Sequence, residues 1–211
     1  MYVPKHFSEN DLPVLQQLMR DYSFAILVSS QENGVPIATH LPFLYEPEPA
    51  PYGTLKAHMA LGNSQWRTFQ ADREVLVIFQ GPHTYISPSW YEVELSVPTW
   101  NYATVHAYGR PQIITETGEL YEHLKTLVTT HESQFAEPWP LNLPRDYMEK
   151  MMKGVVGFSL AITRLEGKFK MSQNRSVREQ EQVIEALSAA SDTTTCEVAA
   201  LMQARLDKRQ G

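Results

Sequence analysis

Three stretches of the chain concentrate side chains that hold an anion or a flat ring. The first is Lys56-Ala57-His58-Met59-Ala60-Leu61-Gly62-Asn63-Ser64-Gln65-Trp66. It passes from a strand-like alternation into a helix start, whose free backbone amides favour an anion. The second joins Gly81-Pro82-His83-Thr84-Tyr85-Ile86-Ser87-Pro88-Ser89-Trp90-Tyr91 to Val97-Pro98-Thr99-Trp100-Asn101-Tyr102 and is dense in aromatic and hydrogen-bonding residues. The third, Lys168-Phe169-Lys170-Met171-Ser172-Gln173-Asn174-Arg175-Ser176, carries three cations, two amides and two hydroxyls in nine residues and no carboxylate. Every polar side chain in it can donate, which suits a phosphate or a carboxylate. Core packing accounts for some of the aromatic residues in these stretches, and a solvated face is the ordinary role of a lysine.

Other chemistries fail on spacing. No G-x-G-x-x-G is present, which argues against a Rossmann dinucleotide site. Gly167-Lys168 resembles the end of a P-loop, but the upstream glycine position holds Ile162. His131-Glu132 begins like a zincin, yet the second histidine position holds Phe135. Gly157-Phe158-Ser159-Leu160-Ala161 resembles a nucleophile elbow without the helix that must follow the serine. Of the seven histidines, His40, His58 and His106 fall in predicted strands, and His123 and His131 lie too far apart on one helix to share a metal. No metal site is expected, and no side chain stands out as a catalytic acid or base.

The elements that must position these residues follow from periodicity. Leu12, Leu15, Leu18 and Met19 recur at helical spacing, with Ser8 as the expected cap. Phe24 to Ser29 reads as a buried strand, and Asn33-Gly34 as a hairpin turn. The return strand, Val35 to Tyr45, contains Pro36 and Pro42 and belongs at an edge. Gly53 to Met59 alternates, with Leu55, Ala57 and Met59 on one face and Lys56 and His58 on the other. Asn63 to Ala71 reads as a short helix with Trp66 and Phe69 inward. Val75 to Phe79 is an apolar strand, expected to break at Gly81-Pro82 before His83 to Ile86. Trp100 to Ile114 gives one or two further strands, and Val155 to Leu165 a last one, ending in a turn at Gly167. Helices are predicted around Leu120 to Val128, after Pro144, and behind the capping boxes Ser176/Glu179 and Thr194/Glu197. About six strands joined by short turns make a mainly β, α+β protein built on an antiparallel barrel, with flanking and C-terminal helices.

Composition agrees with this class. The 211 residues are 43% hydrophobic and 20% charged, as in a globular protein. Eighteen Lys and Arg against 24 Asp and Glu leave a net charge of −6, which disfavours a nucleic-acid grip over the whole surface. The lone Cys196 excludes an internal disulfide. No run approaches the roughly 20 apolar residues of a membrane helix, and Met1 to Asn10 lacks the apolar core of a signal peptide. A cytoplasmic protein is the expectation.

Met1-Tyr2-Val3-Pro4-Lys5-His6-Phe7 and the second and third stretches together resemble the PaiB-type FMN-binding regulator family, over residues 1 to about 187. The resemblance implies an FMN-binding split β-barrel, a homodimer with flavin at the subunit interface, and a negative transcriptional regulator. It implies a barrel domain over residues 1–175 and a helical extension over 176–211. It also implies a cofactor site. Lys56, His58 and Asn63 suit the FMN phosphate, Thr39, His40 and Leu41 lie on a strand beside the ring, and Trp66 and Trp100 add aromatic surface. Lys168, Lys170, Gln173, Asn174 and Arg175 are expected to close over the cofactor or the dimer cleft. At Met59, Leu61, Gly62 and Ser64 the chain departs from the family's Leu, Arg, Ala and Pro, so one phosphate cation is absent at Leu61. An FMN-dependent oxidoreductase is the alternative reading, because a flavin carries most of its own chemistry. A dimer that has lost its cofactor is the third. A DNA or protein partner is compatible with the regulator role, although the acidic charge does not favour DNA.

Overall fold

The computed structural model describes residues 1–49, 51–70, 72–91 and 95–210. Among them are eight strands and five α-helices. In chain order these are β1 (Ser8–Glu9), α1 (Leu12–Asp21), β2 (Phe24–Ser30), β3 (Pro36–Pro42), β4 (Leu44–Glu46) and β5 (Thr54–Ala60). There follow β6 (Val75–Ile86), β7 (Thr99–Ile113), α2 (Thr117–Glu132), α3 (Arg145–Met152), β8 (Val155–Lys170), α4 (Val177–Ser188) and α5 (Thr193–Gln210). The strands form one antiparallel sheet in the order β3-β2-β6-β7-β8-β5-β4, and β1 pairs with β8. Pro36 and Pro42 lie in β3, a terminal strand of this order, where a missing amide donor costs no ladder bond.

The chain divides into two compact units. Unit 1 comprises Met1–Leu18, Gln80–His106 and Glu166–Gly211, and unit 2 comprises Met19–Phe79 and Ala107–Leu165. The strands β6, β7 and β8 each supply residues to both. In unit 2, Gly34 takes φ +82° in the hairpin that joins β2 to β3, pairing Leu27 with Thr39 and Ile26 with His40. Leu55, Ala57 and Met59 turn one face of β5 into a core where Phe43, Phe69, Phe79 and Phe158 meet edge to face. The opposite face of β5 carries Lys56 and His58 and registers against Ser159 and Gly157 of β8. In unit 1, Phe169, Met171, Val183, Leu187, Val198 and Met202 build a second core. There the Ser176/Glu179 capping box starts α4 as the sequence indicates.

Several local expectations are corrected. Ser8 lies in β1 rather than capping α1; the Glu9 carboxylate instead accepts from the Asn10 and Asp11 amides. Gly81-Pro82 does not interrupt β6, because Gly81 lets the strand run close to Leu18 and to the Ala103 carbonyl. Gly167 is no turn either. It lies inside β8 opposite Glu9, and a Cβ there would meet the Leu15 side chain and lie 2.7 Å from the Glu9 carbonyl. The Lys168 to Lys170 alternation is therefore strand, with Phe169 buried on the other face. The helix after Asn63 is a single 3-10 turn, Ser64–Thr68, whose buried residue is Gln65, while Trp66 is only half-buried. The last helix opens with Asp192, which accepts from the Thr195 amide, rather than with a Thr194 box.

Candidate functional site

The expected site residues fall into two groups, one in each unit. In unit 2, Thr39 of β3 accepts from the Asn63 side-chain amide at 2.9 Å, and Asn63 Oδ1 caps the 3-10 turn by accepting from the Gln65 backbone amide at 3.0 Å. Gln65, fully buried, donates to the Leu27 and Ile37 carbonyls and to Ser29, tying the turn to β2 and β3. His40 is exposed and stacks on Phe24 at 6.2 Å, whereas Leu41 is buried. Trp66 donates its indole N–H to the Leu61 carbonyl, and Arg67 lies over its ring. Thr39, Asn63 and the Gln65 turn are thus brought together.

Lys56 and His58 are engaged elsewhere. Lys56 pairs with Glu46 at 3.1 Å and with Glu119 of α2 at 3.8 Å, so its charge is already matched. His58 Nδ1 lies 3.3 Å from Nε2 of His123, which is buried on α2. Burial holds the His58 pKa below its ordinary value. It pushes His123 down to about 4, with the charges of His58 and Lys56 adding to the effect. His123 is not among the residues expected at the site from the sequence, yet it is the residue that His58 meets. No pattern within α2 signals the contact, because the partner comes from a distant strand.

In unit 1, Trp100 of β7 is 52% exposed and sits between His83 and Tyr85 of β6, at ring distances of 6.1 and 6.2 Å. Lys168 of β8 lies over the rings of Tyr102 and Tyr2. Lys170 donates to the Trp100 carbonyl at 2.9 Å and to Thr99 Oγ1, and lies over Phe7. Burial, reinforced by the neighbouring Lys168, lowers the Lys170 pKa. Arg175 stacks on the buried ring of Tyr91, pairs with Glu179 and donates to Ser96. Gln173 folds back on its own strand, accepting from the Met171 amide and donating to the Phe169 carbonyl, so its amide is a turn brace. Asn174 is exposed. Lys170, Asn174 and Arg175 line a cavity of about 220 Å³ together with Thr99, Asn101 and Ser172. Thr99, Asn101 and Ser172 fall within the second and third stretches but are not among the residues expected to hold the cofactor. The signal available was the alternation along 99–102, which sets Thr99 and Asn101 on the face opposite Trp100.

This antiparallel sheet with flanking helices is the fold of the flavin-binding split-barrel proteins. A flavocytochrome from Azotobacter vinelandii superposes with a TM-score of 0.57 at 15% identity, covering 80% of this chain and 72% of that one. An FAD and heme binding protein from Mycobacterium smegmatis gives 0.56 at 13% identity, with 82% and 78% covered. The family model described as "Putative FMN-binding domain" matches residues 1–164, and the chain belongs to that family. It is 39% identical to "Protease synthase and sporulation protein PAI 2" of Bacillus subtilis (strain 168), over 99% of this chain and all of that one, which makes the family PaiB-type.

The donor chemistry fits a flavin mononucleotide in unit 1 better than around Lys56. A phosphate needs charged or neutral donors without competing carboxylates, and a flavin ring needs flat apolar surface. Lys168 and Lys170 meet only rings and neutral oxygens in the contacts described above, and Trp100 and Tyr85 are exposed aromatic surface in the same unit. In unit 2 the one lysine of the expected phosphate set is bound to two glutamates.

Proposed function

We propose that this chain is an FMN-binding homodimer of PaiB type that acts in the cytoplasm as a negative transcriptional regulator through a ligand or protein partner. The observation that carries the cofactor reading is the exposed face of His83, Tyr85 and Trp100 in a chain of an FMN-binding family. Trp100 and Tyr85 would hold the ring, and Lys168 lies on the same sheet within reach of Tyr102. The unit 2 residues Thr39 and Asn63 make a separate cluster with the Gln65 turn, and Lys56 and His58 fix α2 on β5. Bound FMN supplies two-electron redox chemistry or an aromatic surface whose shape reports its redox state. The regulatory part of the reading is supported by the name of the Bacillus subtilis relative, and the net charge of −6 favours a protein or small-molecule partner over direct DNA contact.

The test is a flavin titration. Trp100→Ala should weaken FMN binding by about tenfold, the worth of one stacking contact of about 1–1.5 kcal/mol. Trp139→Ala, on the unit 2 surface, should leave binding unchanged. Equal affinity for both variants contradicts the placement of the ring. Oxidation of NAD(P)H by the loaded protein, faster than free flavin sustains, would favour the oxidoreductase reading instead.

A further inference from the structure

We propose that the unit 1 cavity between β7 and the 170–175 segment is a binding site for a small oxyanion, a phosphate or a carboxylate. The site extends beyond the part of the chain that matches the FMN-binding domain, because Lys170, Ser172, Asn174 and Arg175 lie past residue 164.

Four observations lead there. Its volume of about 220 Å³ is below the range of roughly 300–1,000 Å³ that accommodates a drug-sized molecule, so it takes a small group rather than a ring system. Its polar lining is made of donors: the Lys170 ammonium, the Arg175 guanidinium, the Asn101 and Asn174 amides and the Thr99 and Ser172 hydroxyls. No carboxylate lines it among the described residues. The turn that shapes it is held in place, since Ser172 is at φ 60° and its hydroxyl both accepts from and donates to the fully buried Asn101 side chain. A non-glycine residue in that region is strained, and such strain persists only where the surroundings enforce it.

Of the two charges in the lining, Arg175 is already paired with Glu179, and Lys170 meets no carboxylate among the described residues. Lys170 is half-buried, and the two acceptors it reaches, Thr99 Oγ1 and the Trp100 carbonyl, are neutral. Lys168 stands two residues away on the same strand face and also lacks a carboxylate among its described contacts. Nearby carboxylates are committed: Glu9 to Arg205, Glu166 to the N-terminal amine and Glu179 to Arg175 and the Ser176 cap. The depressed Lys170 pKa has burial as its main cause, and an anion in the cavity would relieve it.

The shared chemistry is an oxyanion, and two sources supply one: the phosphate of the flavin in the proposed function, or a separate small acid or phosphorylated ligand. The experiment is calorimetric titration of inorganic phosphate and of citrate into cofactor-free full-length protein, repeated with FMN and with riboflavin present. Saturable binding is expected, weakened at least tenfold by Lys170→Met and by Asn174→Ala and largely retained by Lys170→Arg. Lys208→Met, an exposed lysine paired with Asp11, serves as control and should change nothing. If FMN blocks phosphate and riboflavin does not, the anion is the cofactor's own phosphate. If phosphate or citrate binds equally well in FMN-loaded protein, the ligand is a separate one. Non-saturable binding, or equal affinity in wild type and Lys170→Met with both folded by circular dichroism, overturns the site. Protein that binds phosphate but never flavin refutes the proposed cofactor and leaves this site standing.

Discussion

His58 and His123, 65 positions apart in the chain, meet with Nδ1 of one 3.3 Å from Nε2 of the other. Burial keeps both rings neutral near pH 7. His123 Nδ1 is enclosed and has no hydrogen-bond partner among the described residues. An orphaned lone pair is easier to bury than an orphaned N–H, so Nε2–H of His123 donates and Nδ1 of His58 accepts. The contact joins α2 to β5 beside the Lys56–Glu119 ion pair.

This pair makes stability pH-dependent with a definite sign. The folded-state pKa of His123 is about 4 against 6.5 for the free side chain, so the unfolded chain binds the proton more readily. The stability contributed is fully present above pH 6.5 and is lost as the pH falls from there toward 4. Urea unfolding should show a loss of roughly 1–2 kcal/mol between pH 7 and pH 5, and His123→Phe should flatten that slope. An unchanged slope in the variant would mean other groups titrate.

Arg175 has a structural part as well as a place in the cavity. It holds Tyr91, Ser96 and Glu179 together, and its carbonyl accepts from Gln180. Arg175→Ala should lower stability by about 1–2 kcal/mol through the lost stacking and the partly shielded ion pair. Removal of Arg175 therefore tests folding before it tests binding, and Lys170 and Asn174 are the cleaner probes. Chemical unfolding of Arg175→Ala at pH 7 decides; a midpoint equal to wild type would show that Tyr91 needs no cover.

Gly167 allows β1 and β8 to approach. A methyl group there meets Leu15 and the Glu9 carbonyl, and neither retreats easily because Leu15 is 2% exposed and Glu9 is bonded to Arg205. Gly167→Ala should cost about 1–3 kcal/mol by overpacking. A thermal midpoint within a degree of wild type would show that the β1 edge yields instead.

The exposed rings of unit 1 make the proposed dimer testable. Trp100 and Tyr85 are 52% and 46% exposed, whereas Tyr91 is buried under Arg175. Light scattering at micromolar concentration should report twice the 24.1 kDa chain mass, and Trp100→Glu should shift it toward one chain mass. A wild-type protein that scatters as 24.1 kDa removes the interface.

What could be read in advance was local. The alternation of Leu55, Ala57 and Met59 against Lys56 and His58, the Asn33-Gly34 turn and the Ser176/Glu179 box each depend on neighbours within a few residues, and each is present. The misread positions depend on distant partners. Gly81 and Gly167 look like breaks, yet each lets another element approach a continuous strand, a fact that only Leu18 or Leu15 reveals. Lys56 and His58 have phosphate-binding chemistry in isolation, but Glu119 and His123 arrive from α2 and engage them. Of the Lys168–Arg175 donors, Lys168 and Lys170 alternate with buried Phe169 on β8, and Lys170, Ser172, Asn174 and Arg175 line one cavity that Lys168 and Gln173 do not reach.

The cofactor proposed for this chain is FMN. Purified protein should be yellow, and mass spectrometry of the small molecule released on denaturation should give the mass of FMN at close to one per chain. Release of FAD, of heme or of no flavin at all from protein refolded and incubated with excess FMN would contradict it.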